Sequence, residues 1–237
     1  MPTIRRQART AGLVYFLMIL LGAPGLLFTP GSIVVSGDPA ATVAHLRGAE
    51  TLFRLGLASQ IVGQVGFLIL GLALHRLLAP VHRTAANLMV ALVWVSIPVT
   101  FVDTLNEIAA LVIAGGPSFL GGFTKAQLDS LAYFFLRLYG EGIGIVWVFW
   151  GLWLAPFGWL VFRSKFLPKA LGILLMLAAI GDLLRAVTSL FPVTRPIEPF
   201  AHVLGLGELP IVFWLLIVGA RDTSRTAAPP LARRTST

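Results

Sequence analysis

An all-α bundle of six membrane-spanning helices is the fold this sequence predicts, and three observations carry the prediction. Hydrophobic residues make up 57% of the 237 positions and charged residues only 12%, where a soluble domain carries about 25% charged. With a mean hydropathy of +0.88, the chain has too little polar surface to cover a water-soluble globule. Six stretches are also long and apolar enough to cross the hydrocarbon core, namely 11–29, 53–78, 86–113, 128–162, 169–190 and 200–220. Crossing takes about 20 helical residues, because no water in the core can satisfy open backbone groups. Finally, cysteine is absent, which excludes disulfides, thiolate metal sites and cysteine nucleophiles. A soluble enzyme, a stapled secreted module and a disordered regulator are all excluded.

Each element has a local reason. The first span follows Arg5, Arg6 and Arg9, a layout shared with signal peptides. Its apolar run is longer than a signal core and no small-x-small cleavage site follows, so it is read as a retained helix. The longest connection, 30–51, contains Gly37-Asp38-Pro39, which predicts a short helix with Asp38 as N-cap and Pro39 in the first turn. The link 79–85 carries Pro80, and the link 163–168 ends on Pro168, at a favoured helix start. Pro98, Pro156 and Pro210 fall inside spans, where each removes a backbone bond and bends the helix. Gly140 and Gly144 form a small-xxx-small pattern for close helix contact, without the strand–turn–helix setting of a phosphate loop. Trp94, Trp147, Trp150, Trp153, Trp159 and Trp214 read as lipid contact and packing rather than a cofactor box. Residues 1–220 form one transmembrane domain, and 221–237, with Pro229, Pro230 and many Thr, Ser and Arg, read as a disordered tail.

The Lys/Arg bias sets the expected orientation. With the N-terminus in the cytoplasm, twelve of the 18 basic residues fall on the inner side: Arg5, Arg6, Arg9, Arg76, Arg83, Arg163, Lys165, Lys169, Arg221, Arg225, Arg233 and Arg234. Both termini are therefore expected inside a cytoplasmic membrane. Topology accounts for the net charge of +8. No basic patch interleaved with aromatics points to nucleic acid.

Ionisable groups at membrane depth mark function or a paired structural role. Of ten acidic residues only Asp222 falls on the expected inner side. At roughly 1.5 Å of rise per residue, Glu208 lies roughly 18 Å, Asp182 roughly 20 Å and Asp103 roughly 26 Å above the inner end of its span. Glu107 and Glu141 fall near the outer boundary. The expected picture is a funnel open to the outside with Asp182 and Glu208 near its floor. Asp103 and Glu107, with Asn106 beside them, share one face at i,i+4. Arg137–Glu141 at i,i+4 and Asp182–Arg185 at i,i+3 can each pair along one helix. Glu208 has no basic neighbour at helical spacing, since His202 faces elsewhere, so its partner is expected from another span, with Arg185, Arg137 or Arg54 the candidates. The pocket candidates are thus Glu208, Asp182, Arg185, Asp103, Glu107, Arg137, Glu141, His202 and Arg54. No HExxH occurs and no two histidines share an i,i+4 face. No Gly-x-Ser-x-Gly occurs either. Neither a metal nor a cofactor is implied.

Two longer stretches carry a family likeness. One runs from Asp38-Pro-Ala-Ala-Thr through Leu52-Phe53-Arg54 to Leu74-His75-Arg76-Leu77-Leu78-Ala79-Pro80-Val81. The other, the more specific, is Gly158-Trp-Leu-Val-Phe-Arg-Ser-Lys-Phe-Leu-Pro-Lys-Ala-Leu-Gly172. Together they resemble the bacterial integral-membrane family called domain of unknown function 4386, over most of the chain from the first span through the fifth. The resemblance implies a bacterial six-helix membrane protein and assigns no activity. Where an aromatic commonly follows the glycine of the family's fifth span, this chain has Asp182 after Gly181.

Three functions follow from this reading. The favoured one is a binding or permeation protein for a small polar or cationic ligand, or a lipid headgroup, because acids outnumber arginines in the funnel. The alternatives are an assembly subunit whose charges only hold the bundle, and an intramembrane enzyme acting on lipid. The partners expected are the lipid bilayer and that ligand.

Overall fold

The computed structural model describes residues 3–221, excluding the side chains of residues 27–31 and 192. The tail expected over 221–237 lies outside the described residues beyond Arg221. Among the described residues there is no strand. Eight α-helices form: α1 (Ile4–Ser32), α2 (Pro39–Gly48), α3 (Glu50–Leu78), α4 (Arg83–Ala114), α5 (Lys125–Arg163), α6 (Lys169–Leu190), α7 (Glu198–Gly205) and α8 (Leu209–Phe213). Six spans are long and apolar enough to cross a membrane, the sixth running over Val193–Val218. The chain is a multi-pass membrane protein.

Local chemistry explains where the helices begin. Asp38 caps α2, accepting a hydrogen bond from the Ala41 amide at 2.9 Å. Thr124 and Gln127 form a reciprocal capping box at the start of α5, satisfying amides that the first helical turn leaves open. His82 caps α4 by accepting from the Ala85 amide, and α4 and α5 each begin about one turn before the hydropathy limits, at Arg83 and Lys125.

The spans form an up-and-down ring in which α3, α4, α5 and α6 each pack on the next. The last span packs on α6 and, through its final turns, on α1, which in turn packs on α3. One end of the bundle is basic, carrying Arg5, Arg6, Arg9, Arg76, Arg83, Arg163, Lys165, Lys169 and Arg221. There the Arg221 amide donates to the Phe166 carbonyl at 2.9 Å. The half of the bundle toward this end is filled by a single apolar core to which α1, α3–α6 and the last span contribute, including Tyr15, Leu74, Met89, Phe157, Leu175 and Leu215. Toward the far end a smaller core forms where α2 lies across α3, α4 and α5, with Val43, Leu46, Phe53, Ala110 and Leu136 at its centre. Between the two cores the ring is polar inside.

The prolines differ in effect. Helices α4 and α5 run on through Pro98 and Pro156. The sixth span, expected as one helix over 200–220, is instead segmented. A 3-10 stretch (Pro192–Ile197) leads into α7, a 3-10 turn (Leu206–Glu208) separates α7 from α8, and a π-helical turn (Trp214–Val218) follows. Pro210 supplies no N–H to the ladder, and the change of helix type at 206–208 falls at its doorstep. The glycine pattern also splits. A Cβ at Gly144 would collide with the Ser189 side chain of α6, whereas one at Gly140 would meet nothing within 4 Å. Of the two, Gly144 is the contact glycine.

Candidate functional site

The interior contains two adjoining chambers that bear charged side chains. The inner one, about 380 Å³, lies between α1, α3, α5, α6 and the last span, and Asp182, Arg185, His202 and Glu208 all line it. The outer one, about 490 Å³, opens toward the far end and is lined by Arg137, Glu141, Arg195 and Glu198. Trp147, Arg185 and His202 line both chambers, so the two adjoin at these residues.

The helix positions explain the inner wall. Trp147, Trp150 and Trp153 recur every third residue on α5 and turn one aromatic stripe into the cavity. Trp153 is stacked on Phe157 at 5.3 Å between centroids and meets Phe67 edge-on at 5.1 Å. With Tyr15 beneath, these rings form a floor above the apolar core. Of the expected roles, lipid contact fits Trp94 and Trp159, which are exposed, and packing fits Trp150 and Trp153, which join the apolar core while their stripe also walls the cavity. The spacing was visible in the sequence; the side of α5 that faces the cavity was not.

Glu208 sits at the 3-10 turn and accepts a hydrogen bond from the Tyr15 hydroxyl of α1. None of the expected arginines fills that role. Tyr15 is fully buried and lies in an otherwise apolar run, which is why its importance escaped sequence reasoning. Arg54 belongs elsewhere: it is exposed and pairs with Glu50 at 2.8 Å. Arg137 faces Glu141 at 3.7 Å, both half-exposed in the outer chamber.

Asp182 and Arg185 meet as expected, but loosely, at 3.7 Å, beyond hydrogen-bond distance. The guanidinium lies over the Trp147 ring at 4.1 Å, so its planar face is held by cation–π attraction. His202 is exposed, its Nδ1 set 2.9 Å from the Glu198 carbonyl. The Trp150 indole nitrogen and the Gln64 side-chain oxygen are buried at the cavity wall with no hydrogen-bond partner among the described residues. Buried polar atoms of this kind carry a desolvation cost.

Asp103 and Glu107 are buried but do not line either chamber. They form a separate cluster between α3, α4 and α5. Asn106 donates to Asp103 at 3.2 Å, and the Gln60 amide donates to Glu107 at 2.8 Å. The Tyr139 hydroxyl donates to the Gln60 oxygen at 3.4 Å. Asp103 lies so close to the Gly142 backbone that a Cβ there would overlap its carboxylate. Gln60 also lines the inner chamber, so it is the link between cluster and cavity. Among the described residues no group of three or more His, Cys, Asp or Glu side chains is placed to hold a metal ion.

No curated protein and no solved structure matches this chain. The family model described as "Domain of unknown function (DUF4386)" matches residues 10–219, taking in all six spans and every residue that lines the two chambers. The chain belongs to the DUF4386 family.

Proposed function

We propose that this protein binds a small cationic ligand in the inner chamber, reached from the side of a bacterial cytoplasmic membrane opposite its basic end. One observation carries the reading. Two carboxylates, Asp182 and Glu208, share an aromatic-walled cavity with a single guanidinium, and that guanidinium is already engaged by Trp147. The remaining field favours a positive group, and indole faces attract organic cations by about 0.5–2 kcal/mol each. An inorganic ion gains little from indole, so the fit is to an alkylated ammonium. The aromatic floor argues for binding above a closed base rather than an open pore.

Tetramethylammonium chloride tests this directly. The purified protein is expected to unfold at a higher temperature in it than in sodium chloride of equal ionic strength, which removes general screening. Stabilisation follows mass action, about 2.7 kcal/mol at a hundred times the dissociation constant. Equal midpoints in both salts would remove the proposal.

Orientation is checked independently. The chain has no cysteine, so single ones are introduced on a clean background. Ser118 and Lys165 are both exposed, at the far and basic ends respectively. A Ser118→Cys variant is expected to react with a membrane-impermeant maleimide in intact cells, and Lys165→Cys only after lysis. The reverse pattern would turn the chambers toward the cytoplasm.

A further inference from the structure

The wall of the inner chamber between α1 and α7 is not closed by packing of these two helices on each other. Helix α1 is tied to the last span only low in the bundle. There the Arg9 guanidinium donates to the Ile217 carbonyl at 2.8 Å, Gly12 lies against the backbone of Leu215 and Leu216, and Tyr15 donates to Glu208. Above Glu208 the last span turns away: α7 packs on α6 rather than on α1. The α1 wall of the cavity at this height is apolar, with Met18, Ile19 and Ala23. Across the gap, Leu206, in the 3-10 turn where the last span leaves α1, lines the cavity and is nevertheless 59% exposed. An exposed lining residue at a place where α1 and α7 do not pack together fits a mouth between these helices.

The height of that mouth decides what it meets. Counting about 1.5 Å per residue from Arg221 places Leu206 roughly 22 Å above the basic end, inside a hydrocarbon core of about 30 Å. The mouth therefore faces lipid tails, while the chamber behind it holds Asp182, Arg185 and Glu208. A hydrated ion has no favourable route through such an opening. A molecule with a hydrocarbon tail does, since its tail stays among tails while its headgroup enters.

We propose that the ligand is a membrane amphiphile with an amine-bearing headgroup, which enters sideways between α1 and α7 and leaves its tail in that gap. This rests on the cation-pocket reading and names its substrate class. Charge complementarity selects the amine headgroup, and the leucine rim selects the hydrocarbon tail. Lipid tails are as apolar as the leucines they touch, so the tail contributes a route and a high local concentration rather than specific contacts.

The test uses the full chain in nanodiscs of phosphatidylglycerol, a lipid without an amine. Tetramethylammonium and dodecyltrimethylammonium share a headgroup and differ in the tail. For each, the concentration giving half the maximal rise in thermal midpoint is measured for wild type, Leu206→Trp and Ala23→Trp, which narrow the gap from opposite sides. Wild type is expected to respond to the dodecyl compound at 100-fold lower concentration or less. In the tryptophan variants that advantage, read as the ratio of the two half-response concentrations, should shrink at least tenfold, whatever the tetramethylammonium value itself becomes. Partitioning into the bilayer is common to all three proteins, so only the gap explains a change. An undiminished advantage in both variants would overturn side entry and leave the cation pocket standing. Absence of any wild-type response to either compound would overturn the pocket and this inference together.

Discussion

Replacement of Gly63 by leucine is expected to lower the stability of the bundle by about 3 kcal/mol, the upper part of the usual range for overpacking. Helices α1 and α3 cross at Gly22 and Gly63 with their backbones in contact. A Cβ at Gly63 would lie 2.7 Å from the Gly22 Cα, and one at Gly22 would lie 2.8 Å from the Gly63 Cα. Neither obstacle is a side chain that can rotate away, so the helices must separate. For a chain of this size the thermal midpoint should fall by about 6–12 °C, taking about 2–4 °C per kcal/mol. Gly140→Ala is the control, because nothing lies within 4 Å of its Cβ position. It should leave the midpoint unchanged or raise it, as alanine exceeds glycine in helix propensity by up to about 1 kcal/mol. A Gly63→Leu protein as stable as wild type would contradict the described crossing of α1 and α3.

The largest effect on ligand binding is expected from Glu208→Gln. The amide keeps the volume and a carbonyl acceptor for the Tyr15 hydroxyl, while the negative charge disappears. Removing a buried charge need not destabilise a protein, so the unfolding midpoint should stay near that of wild type. The tetramethylammonium response should weaken at least tenfold, about 1.4 kcal/mol or more. Tyr15→Phe acts oppositely. It leaves the carboxylate without its donor, at a cost of about 1–3 kcal/mol, and that cost should shrink when Glu208 is already glutamine. The four proteins form a double-mutant cycle read by thermal unfolding and by cation titration. If Glu208→Gln and wild type respond equally to tetramethylammonium, Glu208 is a structural acid and the pocket reading loses its central residue.

The spans were legible because hydrocarbon leaves the backbone no alternative to a helix, and 20 apolar residues in a row record that constraint locally. Asp38 and Pro39 marked α2 for the same reason: a cap is a short-range event. What escaped is long-range. Tyr15 and Glu208 stand 193 residues apart, and nothing in the run around Tyr15 distinguishes it from a filler aromatic. Asp103 and Glu107 were grouped with Asp182 and Glu208 on depth alone. Depth is a one-dimensional coordinate, and it does not say that α4 presents its acids to Gln60 and Tyr139 while α6 presents Asp182 to the cavity. The break at 206–208 escaped because three prolines look equivalent in sequence. Two are absorbed within long continuous helices, and the third lies beside the 3-10 turn at which the last span passes from α8, packed on α1, to α7, packed on α6.

The seam between the first and last spans also constrains the order of assembly. During synthesis α1 and α3–α6 are complete before Glu208 leaves the ribosome, so the growing bundle is first an open arc with Tyr15 at its unclosed edge. Between the emergence of Tyr15 and that of Glu208 lie 193 residues, on the order of 10 s or more of translation at about 5–20 residues per second. Over that interval the tyrosine hydroxyl lacks the acid that receives it in the finished bundle. The last span then arrives carrying a charge that the bilayer resists, and the waiting phenol gives that charge a fixed address. A chain truncated before Glu208 would keep five apolar helices but lack the contact that latches the arc into a ring.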